Sequence, residues 1–457
     1  MRSLQEAFFS WIEHFFQAVE RKWGEDHKNK LMHRVAKSIN VGTLSTAFSG
    51  VDAPGTAMLM IRHCLGRLLH EEVPGMMLLS AIEWGNASQL ESMNHPEPPQ
   101  CLFSAISDFY QDGVREIIQT ATRNQEPITY EMLKPVILSG KAMTLEAFCL
   151  VHQRLCKIKC SKCHVAGPPC VDWSRAGAHL RDAGRTTQHM MAWFGLRRAL
   201  QEPLVGHENV LEFPDWIVKE MMGDLYFINE ARMSGESLGW PAHRHRAIRA
   251  CIHKEKVLEE LQPWPVINQM FQRVREITWR ELLVADAAEL AGELEWASSR
   301  KGALGSAPDF ANPTEFVKAL TKFEQQNLKA YMDRWPGCCY MLAQDAKKQP
   351  ARSNTQCLCT LIRNTHICMS SEHLRWFTAK ELLVAQAFPA IPTLLVDSRP
   401  VTSFNIERAA KRKRVAMVQQ AGNSMNVNMV GALLLYFLGF TIRADSIGAH
   451  LCGSSSS

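Results

Sequence analysis

The chain has 457 residues, of which 46% are hydrophobic and 21% are charged, and its formal net charge is +5. These values are ordinary for a globular protein of two or three domains, so a core requires neither a disulfide framework nor a structural metal. The 14 cysteines are irregularly spaced, and Met1–Phe16 lacks the clean apolar stretch of a signal peptide. We expect a reduced compartment with mostly free thiols, and no apolar run reaches membrane-spanning length.

Residues 4–20 place their apolar side chains at helical spacing, which predicts an amphipathic helix. The polar face of this helix is mixed in charge rather than basic, which favours packing on a neighbouring element over a membrane surface. We therefore treat residues 1–40 as an N-terminal helical extension, with recruitment of a protein partner as an open role.

From about residue 41, short apolar runs alternate with helical stretches such as Thr56–Leu69. This alternation predicts a doubly wound, Rossmann-like α/β domain over residues 41–253. In such sheets ligands gather at the carboxyl ends of the strands, so the residues that follow each run are candidates for a site. The predicted strands are Val41–Phe48, Met76–Ile82, Cys101–Ile106, Leu155–Ala166 and Pro203–Val210.

The alternation is lost beyond about residue 254, where charged helical stretches and clustered cysteines occur. We predict a smaller inserted domain over 254–414, a return to the first domain at 415–445, and a disordered tail at 446–457. The clustered cysteines lack paired Cys-x-x-Cys spacings, and Cys160-x-x-Cys163 lies on a predicted strand. We therefore predict that the chain binds no metal.

A proline-rich loop follows the fourth predicted strand. Gly167-Pro168-Pro169-Cys170 places Cys170 at the end of that strand, and the two prolines leave the backbone few conformations. A cysteine held there can act as a nucleophile if neighbouring positive charge lowers its pKa. On this segment alone, a structural cysteine after a Pro-Pro turn is the simpler interpretation.

Charged side chains follow on the next two strand-like runs. Glu208 ends a strand near the same edge as Cys170, where a carboxylic acid can supply a proton or hold a polar substrate atom. Alternation places Arg244 and Arg246 on one face of a strand, which suits a base edge, a phosphate or a carboxylate. A surface carboxylate and a solvated basic strand edge remain the alternatives.

Six segments, in their order and spacing, resemble the cytosine-C5 DNA methyltransferase family. The resemblance runs from about residue 41 to 440, which is almost the whole chain. The segments are Glu83-Trp84, Pro168-Pro169-Cys170 with Ser174, Glu208-Asn209-Val210, Arg244-x-Arg246, Arg375-Trp376-Phe377-Thr378 with Glu381, Gln386, Phe388 and Pro389, and Gly422-Asn423-Ser424-Met425-Asn426-Val427.

The resemblance implies methyl transfer from S-adenosylmethionine to carbon 5 of cytosine in double-stranded DNA. Cys170 would add to carbon 6 of a flipped-out base, and Glu208 would bind or protonate the ring at nitrogen 3. Arg246 would contact the carbonyl at position 2, and Arg244 would help to hold the two loops. Residues 254–414 would form the target-recognition domain. The implied substrate-binding residues are Ser174, Gly177, Asn209 and Thr360.

The resemblance also implies a site for the methyl donor. Glu83 would accept hydrogen bonds from a ribose diol, while Phe48 and Trp84 would sandwich an adenine ring. The implied cofactor-binding residues are Phe48, Ser49, Gly50, Val51, Glu83, Trp84, Ile106, Asn423 and Ser424. The departures from the family pattern are Asp52 and Pro54 in the loop Phe48–Gly55, the missing acid at Ser104-Ala105-Ile106 unless Asp108 replaces it, and Ala242 where Gln is usual.

Two other functions stay open at the level of sequence. A tRNA methyltransferase of the same fold would share the Cys170 and Glu208 chemistry, although its usual Cys-Phe-Thr element is not found here. A non-catalytic, methyltransferase-like nucleic-acid-binding protein would explain the altered loop Phe48–Gly55. The basic run Lys411–Arg414 fits a nuclear-import signal, a phosphate contact or a solvated helix face. We expect the nucleus or another DNA-containing reduced compartment.

Overall fold

The computed structural model describes residues 4–174, 180–300, 313–348, 350–353, 356–363, 365, 367–391, 395–396, 399–400 and 414–443. None of the helices in these ranges is long and apolar enough to cross a membrane. The predicted tail at 446–457 and the basic residues 411–413 lie outside the described residues.

A large sheet forms the centre of the described chain, and most of its strands coincide with the predicted apolar runs. Its nine strands in the described residues are β1 Thr43–Ala47, β2 Met77–Ile82, β3 Cys101–Phe103, β4 Glu146–Cys149, β5 Arg154–Lys157, β6 Cys163–Ala166, β7 Leu204–Asn209, β8 Tyr226–Met233 and β9 Arg246–His253. Their spatial order is β5-β4-β3-β2-β1-β6-β7-β9-β8. The five central strands are parallel, and antiparallel pairs close both edges.

Helices cover both faces of this sheet, which confirms the predicted doubly wound α/β fold. The helices of this part of the chain are α1 Leu4–Trp23, α2 Glu25–Asn40, α3 Ala53–Leu69, α4 Asn86–Asn94, α5 Asp112–Arg123, α6 Tyr130–Leu138, α7 Thr187–Leu200 and α8 Asp215–Met222. Strand residues alternate between two apolar clusters, as Leu204 and Val205 do. The first cluster includes α1, α2 and α3, and the second includes α5, α6, α7 and α8.

Two predicted strands differ from the observed ones. The run Leu155–Ala166 was predicted as one strand, but it forms β5 at the sheet edge and β6 at the centre. The polar residues between them, including Lys159 and Lys162, belong to neither strand. The run Cys101–Ile106 ends as a strand at Phe103, and a 3-10 turn follows at Ile106–Phe109.

The region after β9 has an apolar cluster of its own, which includes Leu294, Tyr331 and Trp376. Its elements are β10 Val257–Glu260, α9 Trp264–Gln269, α10 Ala287–Ser299, α11 Pro313–Ala319, α12 Lys322–Arg334, β11 Cys339–Met341, β12 Cys368–Ser370, β13 Arg375–Trp376, α13 Ala379–Ala385, β14 Leu395–Val396 and β15 Arg399–Pro400. Side chains of 264–282 and 377–390 belong instead to the main core. The boundaries 254 and 414 therefore stay a prediction.

The chain then returns to the main core through α14 Arg414–Asn423 and α15 Val427–Phe440, and β16 Thr441–Arg443 follows. Helix α15 is buried along its whole length, and β16 pairs with β10. Helix α1 packs on the same core: Phe15 stacks on Phe271 at 4.3 Å, and Trp11 lies against Gly431. The apolar face that we considered for a protein partner is thus covered by residues of this chain.

Candidate active site

Sheet register brings the ends of four parallel strands into one row. Ala47 pairs with Ile82 on one side and with Ala166 on the other, and Ala166 pairs with His207. The next residue on each strand is therefore Phe48, Glu83, Gly167 or Glu208. The strand order reverses between β1 and β6, which is where open α/β sheets bind ligands.

The loop after β6 holds Cys170 in a turn. The carbonyl oxygen of Cys170 accepts hydrogen bonds from the backbone N–H groups of Trp173 at 3.0 Å and Ser174 at 2.8 Å. From β7, Asn209 Nδ2 donates to the carbonyl oxygen of Pro168 at 3.3 Å. Asn209 Oδ1 accepts from the N–H of Val210, so both polar atoms of this side chain are satisfied and Nδ2 holds the loop. Its predicted contact with substrate stays a prediction.

The thiol of Cys170 is half-buried against the second apolar cluster. Burial raises its pKa, Arg246 and Arg244 lower it in part, and Glu208 raises it further. The net effect is a raised pKa, so the ligand-free site favours the neutral thiol. A reaction at Cys170 therefore needs the thiolate to be generated when substrate binds.

Glu208 lies between two guanidinium groups. Its Oε1 is 3.0 Å from Arg246 Nε and 3.9 Å from Arg244 Nε, and the residue is only 8% exposed. The 3.0 Å contact is ionic only, because Oε1 meets no hydrogen-bond geometry with any described residue. Opposite it, a Cβ on Gly167 would lie 3.2 Å from Glu208 Oε2, so glycine leaves room for the carboxylate. One buried carboxyl oxygen is thus left for a polar atom of a substrate.

The two arginines occupy different elements. Both were predicted on one strand, but β9 begins at Arg246 and Arg244 precedes it. Arg244 is 4% exposed and donates through Nη1 to the carbonyl oxygen of Gly422 at 3.3 Å. Burial, with a smaller effect of Arg246, lowers the pKa of Arg244 to about 9, against the opposing effects of Glu208 and Cys170. Arg244 therefore stays charged at neutral pH, and it connects the segment around Gly422 to Glu208.

The ends of β1 and β2 are joined through Glu83. Ser49 donates from its backbone N–H and its hydroxyl to Glu83 Oε1, at 2.5 and 2.6 Å. Burial raises the pKa of Glu83 to about 8, although these hydrogen bonds lower it. Next to it, Trp84 is 77% exposed and offers a free ring face.

The remaining predicted donor-site residues differ in how they are placed. Phe48 is half-buried at a φ of 54°, and Gly50 has a φ of 71° in a turn against Ser424. A Cβ on Gly50 would lie 3.2 Å from the hydroxyl of Ser424, whose segment therefore borders the loop. Two further predicted donor-site residues, Val51 and Ile106, are buried, and a third, Asn423, is exposed.

The altered part of the loop after β1 forms a buried polar contact that the sequence did not predict. Asp52, 1% exposed, accepts a hydrogen bond from the N–H of Gly55 at 3.2 Å and caps α3. Its Oδ2 lies 3.9 Å from Nε2 of His95, which is also buried. Asp52 thus satisfies the N-terminus of α3 with its own side chain.

The segment that carries Thr360, an implied substrate-binding residue, lies beside the segment that leads to Arg244. Leu358 accepts a hydrogen bond from the N–H of His243 and donates to the carbonyl oxygen of Pro241, at 2.9 and 2.8 Å. Thr360, two residues further on, is half-buried. Gly177, another implied substrate-binding residue, lies outside the described residues.

The Arg375–Thr378 segment holds the fold together rather than the site. Arg375 forms two hydrogen bonds with the buried carboxylate of Glu381, at 2.8 and 2.9 Å. Glu381 also accepts from the N–H groups of Ala285 and Thr378, and Thr378 caps α13 in return. This part of the resemblance therefore reflects architecture.

Comparison with known proteins gives structural similarity alone. No protein-family model matches the chain, and no curated protein matches it. Solved structures that match include an E. coli prophage-encoded protein assigned as a DNA modification methyltransferase and the S. pombe Dnmt2 methyltransferase, each at 14% identity and a TM-score of 0.44. The alignments cover 87% of this chain and 99% and 98% of those chains.

The Entamoeba histolytica methyltransferase EhMeth matches at 12% identity and a TM-score of 0.44, over 87% of this chain and 97% of its own. With TM-scores below 0.5, these similarities decide nothing about this chain. Its function has to be inferred from its own site.

Proposed function

We propose that this chain transfers a methyl group from S-adenosylmethionine to carbon 5 of cytosine in double-stranded DNA. The observation that carries the proposal is the gathering of Cys170, Glu208, Arg244 and Arg246 at the ends of β6, β7 and β9. A thiol, a carboxyl group and two guanidinium groups are the set needed to add a nucleophile to a pyrimidine and to hold its polar edge.

Carbon 5 of cytosine is a weak nucleophile, and addition at carbon 6 activates it. The thiolate of Cys170 forms a bond to carbon 6, and the electron pair of the 5,6 double bond moves toward carbon 5 and the ring. Glu208 donates a hydrogen bond or a proton to nitrogen 3, which draws electrons from the bond under attack. When carbon 5 has been methylated, its proton passes to water, the 5,6 double bond forms again and the sulfur–carbon bond breaks, which restores the thiolate. A proton given to nitrogen 3 returns to Glu208 in the same step.

The charges around Cys170 fit this sequence of events. Arg246 and Arg244 already oppose the effect of burial on the thiol, and Glu208 works against them. The two guanidinium groups are therefore the described charges that stabilise a thiolate at Cys170, and Arg246 has the larger effect.

The residues at the ends of β1 and β2 fit a nucleoside-containing methyl donor. S-adenosylmethionine supplies an electrophilic methyl group when bound. Glu83 would hold its ribose hydroxyls in exchange for the hydroxyl of Ser49, which now occupies Oε1. The exposed ring of Trp84 would stack on the adenine.

Double-stranded DNA is the proposed partner, with the nucleus or another DNA-containing compartment as the location. A base in a duplex must leave the stack to reach Cys170, which costs a few kcal/mol. The net charge of +5 agrees with a polyanionic substrate. The segment around Thr360 adjoins that of Arg244 and would face the target.

The test is incubation of the purified chain with a radiolabelled methyl donor and either DNA or tRNA. We expect label on DNA with the wild type and with Cys160→Ala, which changes an exposed cysteine outside the site. Cys170→Ala should lose the label. An oligonucleotide with 5-fluorocytosine should form a denaturation-resistant adduct, and an adduct that persists in Cys170→Ala would show that the nucleophile is misassigned.

One observation favours a second candidate, a nucleic-acid-binding protein without catalysis. Ser49 already occupies Glu83 Oε1, and Asp52 satisfies the start of α3. If calorimetry detects binding of DNA but not of the donor, and no label is transferred, this second function replaces the first. Label on tRNA alone would instead identify a tRNA methyltransferase.

A further inference from the structure

Four metal-ligating side chains converge at the edge of the large sheet, away from the Cys170 loop. They belong to β3, β4, β5 and the turn between β4 and β5, and their ligand atoms all lie within 4.8 Å of one another. The residues are Cys101, Cys149, His152 and Cys156.

Sheet register explains why the three cysteines share one face. Cys149 pairs with Arg154, and Cys156 lies two residues beyond Arg154 on the same strand. Phe103 pairs with Cys149, and Cys101 lies two residues before Phe103. Because side chains on one face repeat every second residue, all three thiols point to the same side.

The fourth side chain comes from the turn. Residues 150–153 join β4 to β5, and Gln153 adopts a φ of 53° while its N–H donates to the carbonyl oxygen of Cys149 at 2.8 Å. This turn brings His152 Nδ1 to 3.4 Å from the sulfur of Cys149, 3.5 Å from that of Cys156 and 3.7 Å from that of Cys101.

These distances agree with a tetrahedral zinc site. With zinc–sulfur bonds of about 2.3 Å and a zinc–nitrogen bond of about 2.1 Å, tetrahedral angles place each sulfur about 3.6 Å from the nitrogen. Three sulfurs at nearly this distance from one ring nitrogen are not the arrangement of a disulfide, which would join two thiols and leave the third apart.

We propose that Cys101, Cys149, His152 and Cys156 bind one zinc ion. Three cysteines and one histidine fill all four positions of a tetrahedral ion, so the site is structural and leaves no position open for a substrate. The proposal differs from our expectation from sequence that the chain binds no metal. It is independent of the proposed function.

Backbone groups surround the sulfur of Cys149, the most buried of the four ligands. Its sulfur accepts backbone hydrogen bonds from His152, Leu102 and Val151. Backbone N–H groups aimed at a sulfur are the usual second layer around a bound metal.

A zinc ion here would fasten the antiparallel hairpin of β4 and β5 to β3. That hairpin is the outermost part of the sheet, and its far face exposes Phe148 and Leu155 at 45% and 68%. Strand β3 leads directly into the predicted donor-site segment Ser104–Ile106. We therefore expect loss of zinc to loosen this edge and to weaken the donor half of the site without touching Cys170.

The experiment measures zinc by inductively coupled plasma mass spectrometry in full-length protein, purified in reducing buffer without chelators. We expect about one zinc per chain in the wild type and in Cys160→Ser, an exposed cysteine four residues from Cys156. His152→Ala and Cys156→Ser should lose most of it. Wild-type protein without zinc, even after incubation with zinc chloride, would overturn the proposal.

A second readout covers variants that fail to fold. Wild-type protein reconstituted with cobalt(II) should show the intense d–d and thiolate charge-transfer absorption of a tetrahedral sulfur-rich site. His152→Ala, which changes an exposed side chain, should shift or weaken those bands while circular dichroism is retained. Octahedral cobalt spectra, or zinc retained in both ligand variants, would contradict the assignment.

Discussion

At the scale of single residues, the candidate active site depends on one glycine and on two buried side chains. Gly167 makes room for the carboxylate of Glu208, and Asn209 fixes the loop that carries Cys170. Glu208 keeps one buried oxygen that makes no hydrogen bond with described residues. An unsatisfied buried acceptor is costly, so its retention fits a role in binding or catalysis.

Gly167→Ala tests this placement. The added methyl group would lie 3.2 Å from Glu208 Oε2 and 3.3 Å from Met425, closer than ordinary contact, so the carboxylate should move by a few tenths of an ångström. We expect methyl transfer to fall by about tenfold to a hundredfold, because misplaced catalytic groups lose rate steeply. The measurement is kcat with DNA, alongside binding of the donor.

Gly113→Ala is the control for that substitution, since its added Cβ meets nothing within 4 Å. It should leave kcat unchanged. Unchanged activity in Gly167→Ala as well would mean that the position of Glu208 does not limit the reaction.

At the scale of elements, the N-terminal helix is part of the core. Helix α1 packs on α2 and α3 and buries its apolar side chains in the main core, where Phe15 lies against Phe271 and Phe440. The amphipathic pattern indicated the helix and its apolar face, but it left open what covers that face. Gly431 decides this, because only a residue without a side chain lets the ring of Trp11 approach α15.

Gly431→Ala should therefore undock α1 in part. Its Cβ would lie 2.3 Å from Cη2 of Trp11, and a rigid ring cannot yield without moving the helix. We expect the free energy of unfolding to fall by about 1–3 kcal/mol, as for other overpacked cores. Urea denaturation followed by circular dichroism measures it.

The comparison variant is Gly292→Ala in α10, where an added Cβ meets nothing within 4 Å. It should be neutral or stabilise the helix by up to about 1 kcal/mol. Equal effects of the two variants would argue against docking of α1 on α15.

At the scale of the whole molecule, one sheet edge joins the two halves of the site. The row Phe48, Glu83, Gly167 and Glu208 places the donor half and the cysteine half on adjacent strands. The segment Gly422–Ser424 lies beside this row. Ser424 borders Gly50, and the carbonyl oxygen of Gly422 accepts a hydrogen bond from Arg244. The buried carboxyl group of Glu83, at the β2 end of this row, makes the stability of the fold depend on pH.

Glu83 has a folded-state pKa of about 8 against an ordinary value of 4.5, with burial as the main cause. The folded state therefore holds this proton more tightly than the unfolded state does. Stability contributed in this way is complete below the unfolded value and is lost as pH rises toward the folded one. Glu83→Gln should lack this loss, so its advantage over the wild type should grow between about pH 4.5 and pH 8.

The measurement is the free energy of unfolding of both proteins across that pH range, without donor. A difference between wild type and Glu83→Gln that does not change with pH would show that Glu83 is ionised in the folded protein.

The sequence by itself determined the doubly wound fold, the order of most strands along the chain and the residue types at their ends. Those follow from local alternation and from short segments such as the one around Cys170. Only the tertiary structure decided which strand ends are neighbours, that the run Leu155–Ala166 belongs to two distant strands, and that Arg244 precedes β9.

It also brought Cys101 to Cys149, His152 and Cys156, which are separated from it by more than forty positions in the chain. The spacing Cys149-x-x-His152-x-x-x-Cys156 is a local signal of a metal site, and the prediction that the chain binds no metal did not take it into account. Its fourth ligand could not be read from the sequence, because the pairing of β3 with β4 depends on how the whole sheet packs rather than on any local pattern.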